Sequence, residues 1–203
     1  MRSIKMISLA VVTVLALGAV TASGASAQEF VFSKTGKFTG KALNTQKLKT
    51  GGGATVECTK VAPGGEITKL KTTEQDFTLT PSSCSVLAIG EAGVTLLDIT
   101  LFTSTFPFVS WLTETPIIHA KALGIECEIE LKAGQSLGGS ASEGEYVNKS
   151  GKLEVKQKLT KIASKVLKSN SESLCGKTGA ESGTGTYEGN IEIEIEGGTI
   201  EVK

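Results

Sequence analysis

The stretch that decides the fold is Gly124-Ile125-Glu126-Cys127-Glu128-Ile129-Glu130-Leu131-Lys132. Ile125, Cys127, Ile129 and Leu131 share one phase, and Glu126, Glu128, Glu130 and Lys132 share the other. Strict alternation is the mark of a half-buried β-strand, apolar toward a core and charged toward water. Cys127 takes the inward phase, where a bridge can cross the core.

The same period runs through most of the chain. It predicts strands over Phe30 to Ser33, Ala54 to Lys60, Gln75 to Thr80, Val94 to Thr103, Ile117 to Leu123 and Lys152 to Leu159. At the C-terminus, Asn190 to Lys203 reads as a hairpin about a Gly197-Gly198 turn, whose glycines can supply positive φ. In that hairpin Ile195 opposes Ile200, Ile193 opposes Val202 and Glu192 opposes Lys203. Glycine-rich joints are expected at Gly51 to Gly53, Gly64-Gly65, Gly138-Gly139 and Gly183 to Gly185. Leu159, Ile162, Ala163, Val166 and Leu167 break the alternation at helical spacing, which fits either a short helix near 159–168 or a bent strand. The fold class is all-β, an antiparallel sandwich or barrel of short strands.

The N-terminus carries a different signal. Arg2 and Lys5 precede an apolar run from Ile7 to Val20, and Ala25-Ser26-Ala27 supplies a small-x-small step. This is the order of a secretory signal peptide, expected to occupy residues 1–27 and to be cleaved before Gln28. The run falls short of the ~20 apolar residues of a spanning helix. Residues 28–203 are therefore expected to form one secreted β domain with no membrane span.

That mature part holds 19 lysines, no arginine and 21 acidic residues. Near-neutrality argues against a nucleic-acid partner, and so does the missing guanidinium. Its four cysteines, Cys58, Cys84, Cys127 and Cys175, read as two disulfides in an exported chain. Three pairings are possible, and we favour the sequential one, Cys58–Cys84 and Cys127–Cys175. No C-x-x-C occurs and His119 is the one histidine, so no metal site and no cofactor are expected. Lys149 to Lys168 carries seven lysines against Glu154, and Ser169 to Lys203 seven acids against two lysines. Adjacent strands that neutralise one another explain this better than a basic patch for an acidic polymer.

With A-S-A at the leader's end, the segments F-T-G-K-A-L, T-V-E-C-T-K, G-G-E-I-T, T-P-S-S-C, I-E-C-E-I, S-L-C-G and G-T-G-T-Y-E-G resemble a group of exported β-rich proteins of high-GC Gram-positive soil bacteria. The resemblance implies export, paired cysteines and β structure, and it assigns no activity and no functional residue. Val56-Glu57-Cys58 and Ile125-Glu126-Cys127 echo one another faintly, which leaves open a duplication of two cysteine-closed halves.

Candidate chemistry is sparse. Gly134-Gln135-Ser136-Leu137-Gly138 matches G-x-S-x-G, but a nucleophile elbow needs a helix directly after the serine. Gly138 to Glu145 lacks any apolar period, so Ser136 is read as part of a loop. His119 sits on a strand and is read as an ordinary exposed or half-buried histidine rather than a base. The alternate glutamates of 126–130 and 192–196 could pair for glycoside hydrolysis, but a solvated sheet face explains them. Phe106, Phe108 and Trp111 form the aromatic cluster, a candidate ligand-binding surface or a cap on the core. Asn148-Lys149-Ser150 fits a glycosylation sequon, which means little if the source is bacterial.

Three function classes follow. The leading one is a secreted non-enzymatic β domain that binds an envelope glycan or protein or serves a structural role. The others are a secreted hydrolase with an unrecognised carboxylate or His119 site, and an exported inhibitor or effector.

Overall fold

The computed structural model describes residues 28–86, 89–103, 109–138 and 143–203. The expected leader, residues 1–27, lies outside them, as do Phe106 and Phe108.

The first half of the chain forms β1 (Phe30–Phe32), β2 (Gly36–Ala42), β3 (Gln46–Lys49), β4 (Thr55–Ile67), β5 (Lys71–Thr72), β6 (Glu74–Val86), β7 (Gly90–Val94) and β8 (Leu97–Phe102). The second half forms β9 (Val109–Leu112), β10 (Ile117–Ala122), β11 (Ile125–Leu131), β12 (Gln135–Gly138), β13 (Glu143–Lys149), β14 (Lys152–Ser169), the helical turn α1 (Glu172–Cys175), β15 (Glu181–Glu194) and β16 (Ile200–Val202). Every pairing is antiparallel, and the fold is all-β with both disulfides in the sequential pairing.

Following the hydrogen-bonded neighbours shows a closed circuit. β14 pairs β15, β15 pairs β3, β3 pairs β4 and β4 pairs β6. The ring continues through β7, β10 and β11 and returns to β14. Eight strands thus make a barrel, a size whose interior is filled by side chains or holds one small ligand. Both cysteine pairs lie at this end. Cys58 faces Cys84 directly across the β4–β6 ladder, and Cys127 of β11 is tied to Cys175 of α1.

β4, β6, β14 and β15 extend beyond the ring. There β2 pairs both β4 and β15, β8 and β9 continue the sheet from β6 to β12, and β13 adds to β14. A three-stranded sheet in the order β16-β1-β5 covers this far end. Its Phe30, Phe32, Ile200 and Val202 are buried, and the Phe30 ring meets Tyr146 edge-on at 5.3 Å.

The long strands correct the expectation of short ones. β14 has 18 residues, and its buried positions run Leu153, Val155, Gln157, Leu159 and then Ile162, Ser164, Val166. The phase jumps from odd to even at Lys161, which sits at φ 62°, and the pairing with β15 shifts register on both sides of Ile162. A β-bulge inserts the extra residue and bends the strand. The helix considered for 159–168 is therefore a bent strand, and the bulge is what mimics helical spacing. β6 changes phase likewise between Leu79 and Cys84, with Ser83 at φ 52°. β6 and β14 are thus each two in-phase runs joined by a kink.

The C-terminal hairpin does not form. Gly198 N–H donates to the Ile195 carbonyl, so the chain does turn there, but β16 pairs β1, with Val202 opposite Phe30 and Ile200 opposite Phe32. Both edges of β15 are already taken. Ile193 stands between Leu153 of β14 and Gly40 of β2. With no free edge beside it, the returning segment crosses to the covering sheet.

Two glycine joints also prove to lie inside strands. Gly64 and Gly65 are in β4, and Gly183 to Gly185 are in β15. A Cβ on Gly65 would stand 2.5 Å from the Phe38 ring, and one on Gly185 would stand 2.8 Å from the Ile162 carbonyl oxygen at the bulge. Those positions need glycine for close approach rather than for turning. The strand expected over Val94 to Thr103 is split at Thr95 and Leu96, where the chain passes from β7 to β8.

Candidate functional site

The structure disperses the residues that the sequence offers for catalysis. Ser136 lies in β12, exposed, opposite Trp111 of β9. β12 is a strand, which corrects the loop reading of Ser136; the serine sits on extended backbone and not at an elbow. His119 lies in β10, whose neighbours are β7 and β11; its side chain is 54% exposed and stands 4.0 Å from Glu128. The backbone of Trp111 lies in β9 between Thr100 and Ser136.

The alternate glutamates meet lysines. Lys168 donates to Glu126 at 2.8 Å, and this hydrogen bond with its charge holds the Glu126 carboxyl below the ordinary carboxylate range. Lys132 does the same for Glu181 at 2.6 Å. Burial pushes Glu192 upward, but Lys152 and Lys41, each at 3.3 Å, together outweigh it and leave the carboxyl lowered. Lys156 pairs with Glu145 and Lys158 with Glu143 across β13 and β14. The lysine-rich segment is therefore neutralised on the outer face in part by the glutamate-rich one, through Lys152 and Lys165 to β15, and in part by β13 and β11, through Lys156, Lys158 and Lys168. Among the described residues no group of three or more His, Cys, Asp or Glu side chains is placed to hold a metal ion.

What the structure does bring together is interior. A cavity of about 70 Å³ lies at the waist, between the disulfide end and the covered end. Leu131, Leu137, Leu159, Ile162, Ile99 and Leu112 form much of its wall. They converge from β8, β9, β11, β12 and β14, each on the inward phase of its strand. Three polar side chains join them: Gln46 of β3, Gln157 of β14 and Tyr187 of β15.

Two of these three satisfy each other. The Tyr187 hydroxyl donates to Gln46 Oε1 at 2.5 Å, and Gln46 Nε2 donates to the Asn44 carbonyl at 2.8 Å and the Asn190 carbonyl at 3.1 Å. Burial pushes the Tyr187 phenol above its ordinary range, so it stays protonated and remains a donor at neutral pH. Gly189 leaves the room that Gln46 occupies, since a Cβ there would collide with Gln46 Oε1. Gln157 differs. It is 5% exposed, and its Nε2 is buried with no hydrogen-bond partner among the described residues. Buried polar groups are nearly always paired, so this donor requires an explanation.

The wall has a thin place. β6 pairs β8 through Leu79 and pairs β7 from Cys84, leaving Thr80 to Ser83 between the two partners. Pro81, Val94 and Leu97 line the cavity at this fork and are each half-buried.

Neither Gln157 nor Gln46 is singled out by motif reading. The usable signal was phase. In Leu153-Glu154-Val155-Lys156-Gln157-Lys158-Leu159, Gln157 occupies an apolar position, and Gln46 shares the inward phase of Leu48. A polar side chain in the core phase of a strand marks a possible internal contact, whereas surface glutamates in the outer phase mark nothing.

Comparison with protein-family models, with curated proteins and with solved structures finds no match for this chain.

Proposed function

We propose that residues 28–203 form a secreted binding protein, a disulfide-braced β-barrel that holds a small molecule without transforming it. The observation that carries this reading is the chemistry of the cavity wall. It contains amide, phenol, hydrocarbon and the disulfide-bonded Cys58 but no carboxylate, lysine, histidine or free thiol. Its single titratable group, Tyr187, is held protonated by burial. Such a wall can recognise a ligand and offers it no group to exchange a proton at neutral pH.

Export belongs to the same proposal. Two disulfides suit an oxidising compartment. No helix among the described residues is long and apolar enough to cross a membrane. The leader-like segment before Gln28 and the resemblance to exported β-rich proteins point the same way. An envelope polymer or protein would meet the outer face, and the emission of Trp111 on titration with cell-wall glycans tests that partner class.

The test of the binding role is thermal denaturation of the secreted protein against a panel of small neutral apolar compounds. A ligand that binds only the folded state raises the melting temperature by mass action. A panel of cavity-sized compounds that leaves the melting temperature unchanged overturns the role. Intact mass of the same preparation checks export, with a chain starting at Gln28 and both disulfides formed expected.

A further inference from the structure

The unpartnered donor on Gln157 narrows the ligand class, on the premise that the cavity binds at all. We infer that the waist cavity takes a small neutral apolar molecule carrying one hydrogen-bond acceptor, a carbonyl above all, and that Gln157 Nε2 is the side chain that reads it.

The first reason is the contrast inside one cavity. Gln46 and Tyr187 form a closed set with Asn44 and Asn190, while Gln157 lines the same cavity with an open donor that is buried behind the apolar surface and meets the ligand once the side chain turns inward. Its neighbours in phase, Val155 and Leu159, are 0% and 2% exposed apolar residues. A leucine in place of Gln157 would continue the core, so the amide stands where packing alone gives it no role.

The second reason is that water answers the need poorly. A buried water usually makes about three hydrogen bonds and requires two to four polar partners. Here the other polar side chains of the wall are engaged with each other and the rest of the lining is apolar. A carbonyl oxygen is satisfied by one donor and brings its own hydrocarbon to the leucine and isoleucine walls. A charged ligand is disfavoured, because the wall offers no counter-charge to offset its desolvation.

Size follows from the volume. A water needs roughly 10–15 Å³ of such space, so about 70 Å³ admits a ligand on the order of six heavy atoms. Entry is by the fork at Pro81, Val94 and Leu97, where β6 changes partner between β8 and β7.

The experiment uses an isosteric pair, cyclopentanone and methylenecyclopentane, which differ in a carbonyl oxygen against a methylene. The protein, isotope-labelled, is titrated with each by NMR. The Leu159 and Ile162 methyl signals report occupancy, and the Gln157 side-chain amide signal reports hydrogen bonding. Both probes are expected to move the methyls, the ketone alone to move the Gln157 amide, and the ketone to bind about tenfold more tightly. In Gln157→Met that preference should shrink to within about twofold. If both probes bind wild type equally and the amide signal stays in place, the inference fails while the binding role stands. If neither probe moves the methyls, both fall together.

Discussion

Gln157→Met tests the same donor without any ligand. In the free protein, Gln157 Nε2 is buried and unpartnered among the described residues. Leaving such a donor unsatisfied costs about 1–3 kcal/mol. Methionine keeps the unbranched length of glutamine and replaces the amide with apolar, adaptable atoms against Leu159 and Ile162. The variant should therefore be more stable by about 2 kcal/mol. For a chain of this size, that corresponds to a rise in melting temperature of about 4–8 °C. Urea denaturation provides the assay, with the midpoint moving up and the slope unchanged if both states keep their exposed surface. Gln46→Met is the control in the same cavity, and its sign should be opposite. It removes the acceptor of the Tyr187 hydroxyl and the bonds to Asn44 and Asn190, orphaning a half-buried phenol. A loss of about 1–3 kcal/mol is expected there. If both variants destabilise alike, Gln157 is partnered in solution and the reasoning about its open donor is refuted. The opposite signs would show that an open donor is kept at the expense of stability.

Other predictions concern the frame around the cavity. Replacing Cys127 and Cys175 together by alanine should cost about 4 kcal/mol in the chain-entropy account, against about 3.5 for Cys58 and Cys84, because the first pair closes a separation of 48 residues and the second 26. Equal midpoints for the two double variants in urea would contradict that order. Lys161→Gly should stabilise by up to about 1 kcal/mol, since Lys161 holds φ 62° at the bulge and a side chain there is strained; a loss of stability by thermal melting would mean that β14 does not bulge at this residue. Acidification should weaken the fold through Glu126, Glu181 and Glu192, whose carboxyls are lowered. A lowered carboxylate contributes stability above its unfolded value of about 4.3 and loses it as pH falls through the lower folded value. A pH series of urea midpoints should fall below about pH 4.3, and ~1 M salt should flatten that part of the curve because the Glu126 and Glu181 pairs are exposed. A slope that ignores salt would assign the acid response to other groups.

The alternation in residues 124–132 was enough to establish a β-strand, and the structure places Cys127, Ile129 and Leu131 inward as that period requires. Period two is a property of the local chain, so inward and outward residues are legible wherever it holds unbroken. Around Lys161 it left a short helix and a bent strand open, because a bulge shifts the phase by one residue and a one-residue shift looks helical over a short window; the structure has the bent strand. Gly65 and Gly185 were misread as joints for a related reason. Sequence shows that a side chain is missing, and only the approach of Phe38 or Ile162 shows why.

The inward faces of the alternating segments were thus set by the sequence itself, through backbone geometry that acts between near neighbours. Closure of the eight-stranded ring, the crossing of β16 to β1, and the enclosure of the cavity were decided only in three dimensions. Each depends on which strand edges are already occupied, and that is a competition among segments far apart in the chain. Gln157 stands at the meeting of the two. Its inward phase can be read from Leu153 to Leu159, but the absence of a partner for Nε2 is a fact about every strand that surrounds it.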